Sequence, residues 1–199
     1  MILVCRTYLQ STDHRGIEEA RLSAISADSL KPKAARMNPE WRDMTGLLDI
    51  LIRATQASRV LEIGTGRGAS ALEIAAALPP GGTLITLERD TAAAMDARAA
   101  CAAAGVDRIV LVMIGDAARY LHKIAGPFDL ILQDSDPSQY SSLHEKLVPL
   151  LGPAGTLLTR NLAAAGGYNE LLAADARLTT AFLHLDDGLA LSVKRLELT

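Results

Sequence analysis

Val60-Leu61-Glu62-Ile63-Gly64-Thr65-Gly66-Arg67-Gly68 decides the fold of this chain. An apolar run interrupted by one acid meets three glycines at every second position. The run suits a buried strand, and the glycines suit a sharp turn from strand into helix with bare backbone exposed. A turn of that kind lets a ligand touch the main chain, and it is where α/β proteins hold the adenosine part of a cofactor.

Working outward, the rhythm around the turn is strand, helix, strand. Strand-like runs lie at 59–63, 83–87, 109–114, 128–133 and 155–159, with helical runs at 68–78, 91–104, 116–124 and 139–151 between them. Pro79-Pro80-Gly81-Gly82 and Gly152-Pro153-Ala154-Gly155 are turn signals. The Ala-rich stretch at 92–104 reads as a packed helix of good formers. Such alternation predicts a Rossmann-like, doubly wound α/β fold with helices on both faces of a mostly parallel sheet. The tail differs. A helix over 168–176 precedes apolar runs at 178–185 and 189–196 that flank Asp186-Asp187-Gly188, which predicts an antiparallel hairpin completing seven strands. Upstream, 7–36 reads as one or two helices. Asn38-Pro39 then opens a helix over about 40–55, with Asn38 as cap and Pro39 in its first position. The whole chain, 1–199, is expected to be one domain: N-terminal helices over 1–57 and the α/β core over 58–199.

Bulk properties exclude several classes. Apolar residues make up 49% of the 199, so disorder is not the default reading and a sizeable core is expected. The net charge is −3 and the basic residues are scattered, which argues against nucleic acid. Cys5 and Cys101 share no metal-type spacing and read as reduced thiols. No apolar run reaches membrane-spanning length, and the first residues do not form a signal-peptide core, so a cytoplasmic protein with no membrane partner is expected.

Ligands of open parallel sheets sit at the carboxyl ends of the strands. Gly64, Gly66 and Gly68 follow the first strand, and Glu88 ends the second, where an acid can accept both ribose hydroxyls. Gly115-Asp116-Ala117 follows the third strand, placing Asp116 for an adenine amino group, and Asp134 follows the fourth. Glycine spacing alone also admits NAD, because Gly64-x-Gly66-x-x-Ala69 satisfies the relaxed dinucleotide pattern. Charge separates the two. A pyrophosphate wants amides and no adjacent acid, whereas Glu62 suits the sulfonium and α-amino groups of S-adenosylmethionine.

With these residues in place, the chain resembles the class I S-adenosylmethionine-dependent methyltransferases. More narrowly it resembles the caffeoyl-CoA and catechol O-methyltransferase-like family. The matching segments are 60–66, Glu88, 115–117, Phe128-Asp129-Leu130-Ile131, Met37-Asn38-Pro39-Glu40, Gly46-Leu47-Leu48, 104–109, Asp134-Ser135-Asp136 with Tyr140, Asp175-x-Arg177 and Asp187-Gly188-Leu189. The resemblance covers about residues 36–195. It implies that Glu62 and Gly64 line the methionine end of the cofactor, with Ser70 on its carboxylate and Met37 near the methyl group. Glu88 would bind the ribose, and Asp116 and Ala117 the adenine. It also implies a homodimer and a small-molecule methyl acceptor.

The resemblance further implies a divalent metal beside the cofactor, held by an acid after the fourth strand and an Asp-Asn pair after the fifth, with a lysine assisting deprotonation. Asp134 and Asn161 stand at two of these positions, but Arg160 replaces the middle acid and Pro137 the lysine. A guanidinium offers no lone pair to a metal. The expectation is therefore a metal-free variant in which Arg160 pairs with Asp134, so that Asp134, Arg160 and Asn161 form the catalytic set. Other candidate bases are Asp136 and Tyr140. His144, one helical turn beyond Tyr140, reads as a surface-helix histidine, and Trp41 fits helix packing as well as substrate stacking. The small loop at 162–167 lacks an aromatic residue to receive a flat catechol. Three functions follow: a small-molecule O-methyltransferase, a non-catalytic S-adenosylmethionine-binding protein, or an NAD-dependent oxidoreductase.

Overall fold

The burial of strand β1, Arg59–Ile63, organises the molecule. Val60, Leu61, Glu62 and Ile63 are all inaccessible to solvent, as expected of a central parallel strand covered on both faces. In the computed structural model, which describes residues 39–185 and 187–196, β1 pairs in parallel with β2, Thr83–Glu88, on one side and β4, Phe128–Gln133, on the other. Seven strands form one sheet among the described residues, with β3 at Val110–Ile114, β5 at Leu151–Thr159, β6 at Leu178–Leu183 and β7 at Leu189–Lys194. Their order is β3-β2-β1-β4-β5-β7-β6, and β7 alone runs antiparallel to the other six. The mostly parallel sheet with a terminal hairpin agrees with the sequence reading.

Side chains alternate across the sheet and split the core into two layers. Val60, Leu84, Val112, Leu130 and Leu132 face helices α1 (Pro39–Thr55), α2 (Ala69–Ala77) and α3 (Thr91–Ala103). Leu61, Ile63, Leu87, Ile131 and Leu157 face α4 (Ala117–Tyr120), α5 (Tyr140–Leu147) and α6 (Tyr168–Ala174). Leu48 and Ile52 bring α1 into the first layer.

Two helical expectations and one turn are refined. The run 116–124 is a single α-turn followed by a 3₁₀ turn at Leu121–Lys123. The run 139–151 is flanked by 3₁₀ turns, Pro137–Gln139 and Val148–Leu150, and at the second Pro149 lacks the N–H that an α-helix interior requires. The glycine-proline turn at 152–155 lies inside β5, where register slips between Phe128 and Leu130 and Ala154 takes a φ of 57°. The helices expected over 7–36, Met37, the Asn38 cap, Cys5, the Trp41 side chain and Asp186 lie outside the described residues.

Candidate cofactor and methyl-transfer site

Strand order reverses between β1 and β4, and a cleft of about 540 Å³ opens there above the carboxyl ends of the strands. Its walls bring together Gly64, Gly66 and Ser70 after β1, Glu88 at the end of β2, Asp116 and Ala117 after β3, and Asp134 after β4. These residues come from four separate strand ends, and the parallel register gathers them in one place. Met37 lies outside the described residues.

Gly64 makes the crevice possible. Its φ is +97°, and a Cβ there would sit 2.2 Å from the carbonyl oxygen of Asp134. Only a bare Cα lets the turns after β1 and β4 run side by side. Gly68 does not line the cleft; it lets α2 start close against α3, where a Cβ would lie 3.1 Å from the Cα of Ala97.

Glu62 is also absent from the lining. Side-chain alternation turns it toward α2, where it accepts from the Ser70 hydroxyl and, at 2.6 Å, from the Thr86 hydroxyl. Thr86 spends its one proton on Glu62, so the Thr65 hydroxyl must donate to Thr86. Burial pushes the Glu62 carboxyl up from 4.5 to about 7, with the two hydroxyls opposing that rise only in part. The acid therefore reaches the cleft through Ser70. When Glu62 is ionised it holds the Ser70 proton, and an oxygen lone pair of Ser70 faces the cavity. The partnership with Thr86 depends on the β1–β2 register, Glu62 opposite Thr86. A threonine in the middle of the β2 run was the one available hint.

Glu88 is held in place by the amides of Gly66 and Asp90, at 2.8 and 2.9 Å. Asp116 caps α4 by accepting from the Ala118 amide at 2.7 Å while still lining the cleft. The two arginines of the lining do not form a phosphate site. Arg67 projects outward with its side chain 85% exposed, near Asp96, and Arg89 pairs with Asp136 at 3.4 Å. Acids thus dominate the walls, which favours a cationic cofactor over a pyrophosphate.

Arg160 and Asn161 do not line the cleft but converge on Asp134, which does. Arg160 Nη1 donates to Asp134 Oδ2 at 2.6 Å, and Asn161 Nδ2 donates to Oδ1 at 3.0 Å. The left-handed backbone of Asn161, φ 56°, turns the chain sharply after β5. This is the pairing expected from the sequence. A divalent metal of the kind the resemblance implies does not fit here. Such an ion needs oxygen lone pairs from three groups, but position 160 supplies a cation and Asn161 turns an N–H toward Asp134. Pro137, where a lysine was implied, occupies the first position of a 3₁₀ turn capped by Asp136, which accepts from Ser138 N and Oγ.

Two sequence expectations are overturned. Tyr140 is fully buried, its hydroxyl donates to the Ser135 carbonyl at 3.2 Å, and burial drives its pKa well above the usual phenol range, so it is no base at neutral pH. His144 is 1% exposed rather than a surface residue. Its ring lies between Tyr168, Nδ1 to hydroxyl 3.0 Å, and Asp175, Nε2 to carboxylate 2.7 Å, because α5 turns this face onto α6. The Tyr168 hydroxyl also lies 3.2 Å from Gln133 Oε1, extending the chain of polar contacts to the residue before Asp134. Arg177 closes the outer end by donating to Asp175 and Glu145, and it holds the Asp175 carboxyl far below the ordinary range. No local motif predicted this network; only the packing of α5 on α6 assembles it.

Comparison with known proteins agrees with the geometry. The sequence profile of the family described as O-methyltransferase matches residues 13–166. Catechol O-methyltransferase domain-containing protein 1 of Mus musculus is 30% identical over 169 residues, covering 74% of this chain, and the chain spans only 64% of that relative's length. A putative O-methyltransferase of Mycobacterium sp. (strain JLS) is 29% identical, covering 89% of this chain and 87% of its own. Among solved structures, the O-methyltransferase from Bacillus cereus in complex with SAH superposes with a TM-score of 0.72 at 25% identity, covering 94% and 93% of the two chains. The O-methyltransferase TomG from Streptomyces achromogenes, in complex with SAM, gives 0.73 at 25% identity, covering 90% and 95%.

Proposed function

The chain belongs to the O-methyltransferase family, and from that premise we propose that it transfers the methyl group of S-adenosylmethionine to an oxygen of a small acceptor. The observation that carries this reading is the convergence of Gly64, Glu88, Asp116 and Asp134 from four adjacent strand ends on one acid-lined cleft. In it, Glu88 accepts from the ribose hydroxyls and Asp116 from the adenine amino group, with Ala117 against the ring. Gly64 and Gly66 offer backbone to the methionine end. Ser70, backed by Glu62, accepts from the cofactor's ammonium rather than donating to its carboxylate. Gly68 and Glu62 act from behind the wall. Met37 belongs to the expected methyl-side wall.

Methyl transfer asks for alignment more than for acid–base chemistry. The sulfonium is already a good leaving group, so holding oxygen, methyl carbon and sulfur in line supplies much of the rate. Asp134, fixed by Arg160 and Asn161, marks the acceptor side. The family resemblance supports a homodimer, and no described helix is long and apolar enough to cross a membrane. A cytoplasmic homodimer is the working form in this reading.

Calorimetric titration with S-adenosylmethionine and with NAD tests the cofactor. Saturable binding of the first and none of the second is expected, and the reverse result overturns the proposal. Release of S-adenosylhomocysteine with any oxygen acceptor separates the enzyme from a non-catalytic binding protein.

A further inference from the structure

The paired changes at positions 160 and 137 have a consequence for the acceptor, one that rests on the methyl-transfer reading above. We infer that the Arg160–Asp134 ion pair replaces a metal centre, and that the acceptor is an oxygen already anionic at neutral pH: a carboxylate, or an acidic phenol or enol. A bound divalent ion does two things for an oxygen nucleophile. It chelates two neighbouring oxygens and makes one of them easier to ionise. Neither service is available here, because Asp134 has both oxygens engaged by the N–H groups of Arg160 and Asn161.

The described acids of the cleft do not substitute as a base. Glu88 is held by the Gly66 and Asp90 amides on the cofactor side, and Asp116 caps α4. Asp136 caps the Pro137–Gln139 turn and faces Arg89. Tyr140 is buried with its proton on the Ser135 carbonyl, and Pro137 carries no amine. An acceptor that arrives deprotonated needs none of them. Its oxygen lone pair attacks the methyl carbon, the carbon–sulfur bond breaks, and the electron pair passes to sulfur. Anion and sulfonium become two neutral products, and no proton moves.

Arg160 then acts through Asp134. A bare carboxylate at the wall of the cleft would repel an anionic acceptor; with the guanidinium 2.6 Å from its oxygen the pair is neutral overall. Because the acceptor's charge is consumed during transfer, this help is greatest in the ground-state complex. Arg160 is thus a positioning residue whose loss raises the acceptor KM more than it lowers kcat.

The test uses the full chain and three probes. Mn²⁺ is titrated and followed by electron paramagnetic resonance. The wild-type protein is expected to leave the free-ion signal unchanged, and R160D to quench about one equivalent by restoring the missing acid. Turnover of S-adenosylmethionine is expected to be equal in EDTA and in Mg²⁺. Across a panel of aryl carboxylates, nitrophenols and catechol, S-adenosylhomocysteine is expected to form with the anionic acceptors. R160Q is expected to raise their KM about 10- to 100-fold, because the uncovered Asp134 carboxylate repels them, with kcat changed by much less. Stoichiometric Mn²⁺ on the wild-type site with turnover abolished by EDTA would overturn the inference, as would methylation of catechol alone. Should R160D fail to fold, the wild-type titration decides. Failure of S-adenosylmethionine to bind removes the functional reading itself, a separate result.

Discussion

Replacing Gly64 by alanine tests the architecture of the cleft most directly. The position has a φ of +97°, where a Cβ costs about 1–2 kcal/mol in the left-handed region. The new methyl would also lie 2.2 Å from the Asp134 carbonyl oxygen, 2.7 Å from its carbon and 2.9 Å from the Ser135 Cα. All three are backbone atoms, so no rotamer change relieves them. The turns after β1 and β4 must part, an overpacking cost of about 1–3 kcal/mol. Gly66→Ala is the control. Gly66 also has a positive φ, +52°, but nothing lies within 4 Å of its Cβ position. The entropy that alanine removes from the unfolded chain, about 0.4–1 kcal/mol, is common to both variants and cancels in the comparison. Gly66→Ala is thus expected to cost at most about 1–2 kcal/mol, and Gly64→Ala about 2 kcal/mol more. In a domain of this size that difference corresponds to a melting temperature lower by about 4–8 °C, measured by thermal unfolding without ligand. Because Gly64 itself lines the cleft at the proposed methionine end, S-adenosylmethionine affinity should fall with the displacement. Equal melting temperatures for the two variants would refute the close approach and with it the placement of Asp134 on the cleft.

Other perturbations address the parts behind the wall. Since the Glu62 carboxyl is raised from 4.5 to about 7 in the fold, the native state holds the extra proton between those values. Apo stability should therefore fall as pH rises through that window, by about 3 kcal/mol in all, and Glu62→Gln should flatten this component in urea titrations at several pH values; an unchanged slope would refute it. Glu88→Ala should weaken S-adenosylmethionine binding about 10- to 100-fold by calorimetry through loss of charge-assisted bonds, and an unaltered Kd would remove Glu88 from the ribose site. Tyr168→Phe deletes the hydroxyl between His144 and Gln133 and should cost about 1–3 kcal/mol in urea unfolding. A neutral result there would mean that the buried chain is not cooperative.

The strand-turn-helix at 59–69 was legible because three local signals coincide: an apolar run, alternate glycines and helix-forming residues after them. Glu88, Asp116 and Asp134 were legible because each directly follows or ends such a run. His144 was misread because its burial depends on Tyr168 and Asp175, which are 24 and 31 residues away. Tyr140 was read as a possible base because sequence spacing says nothing of desolvation.

By itself, the sequence determined the fold class and the strand-end residues that line the cleft. Hydrophobic periodicity and glycine spacing are local properties, and a parallel sheet brings the ends of its strands together. The residue types at positions 137 and 160 also marked a departure from the family pattern around Asp134. The tertiary structure decided how those residues act. Glu62 works from behind Ser70 because strand alternation and the β1–β2 register point it at α2 and Thr86. Asp134 is engaged by Arg160 and Asn161 because β5 ends beside β4 with a left-handed turn. Register, layer and desolvation are relations between distant segments, and the chain acquires them only when it packs.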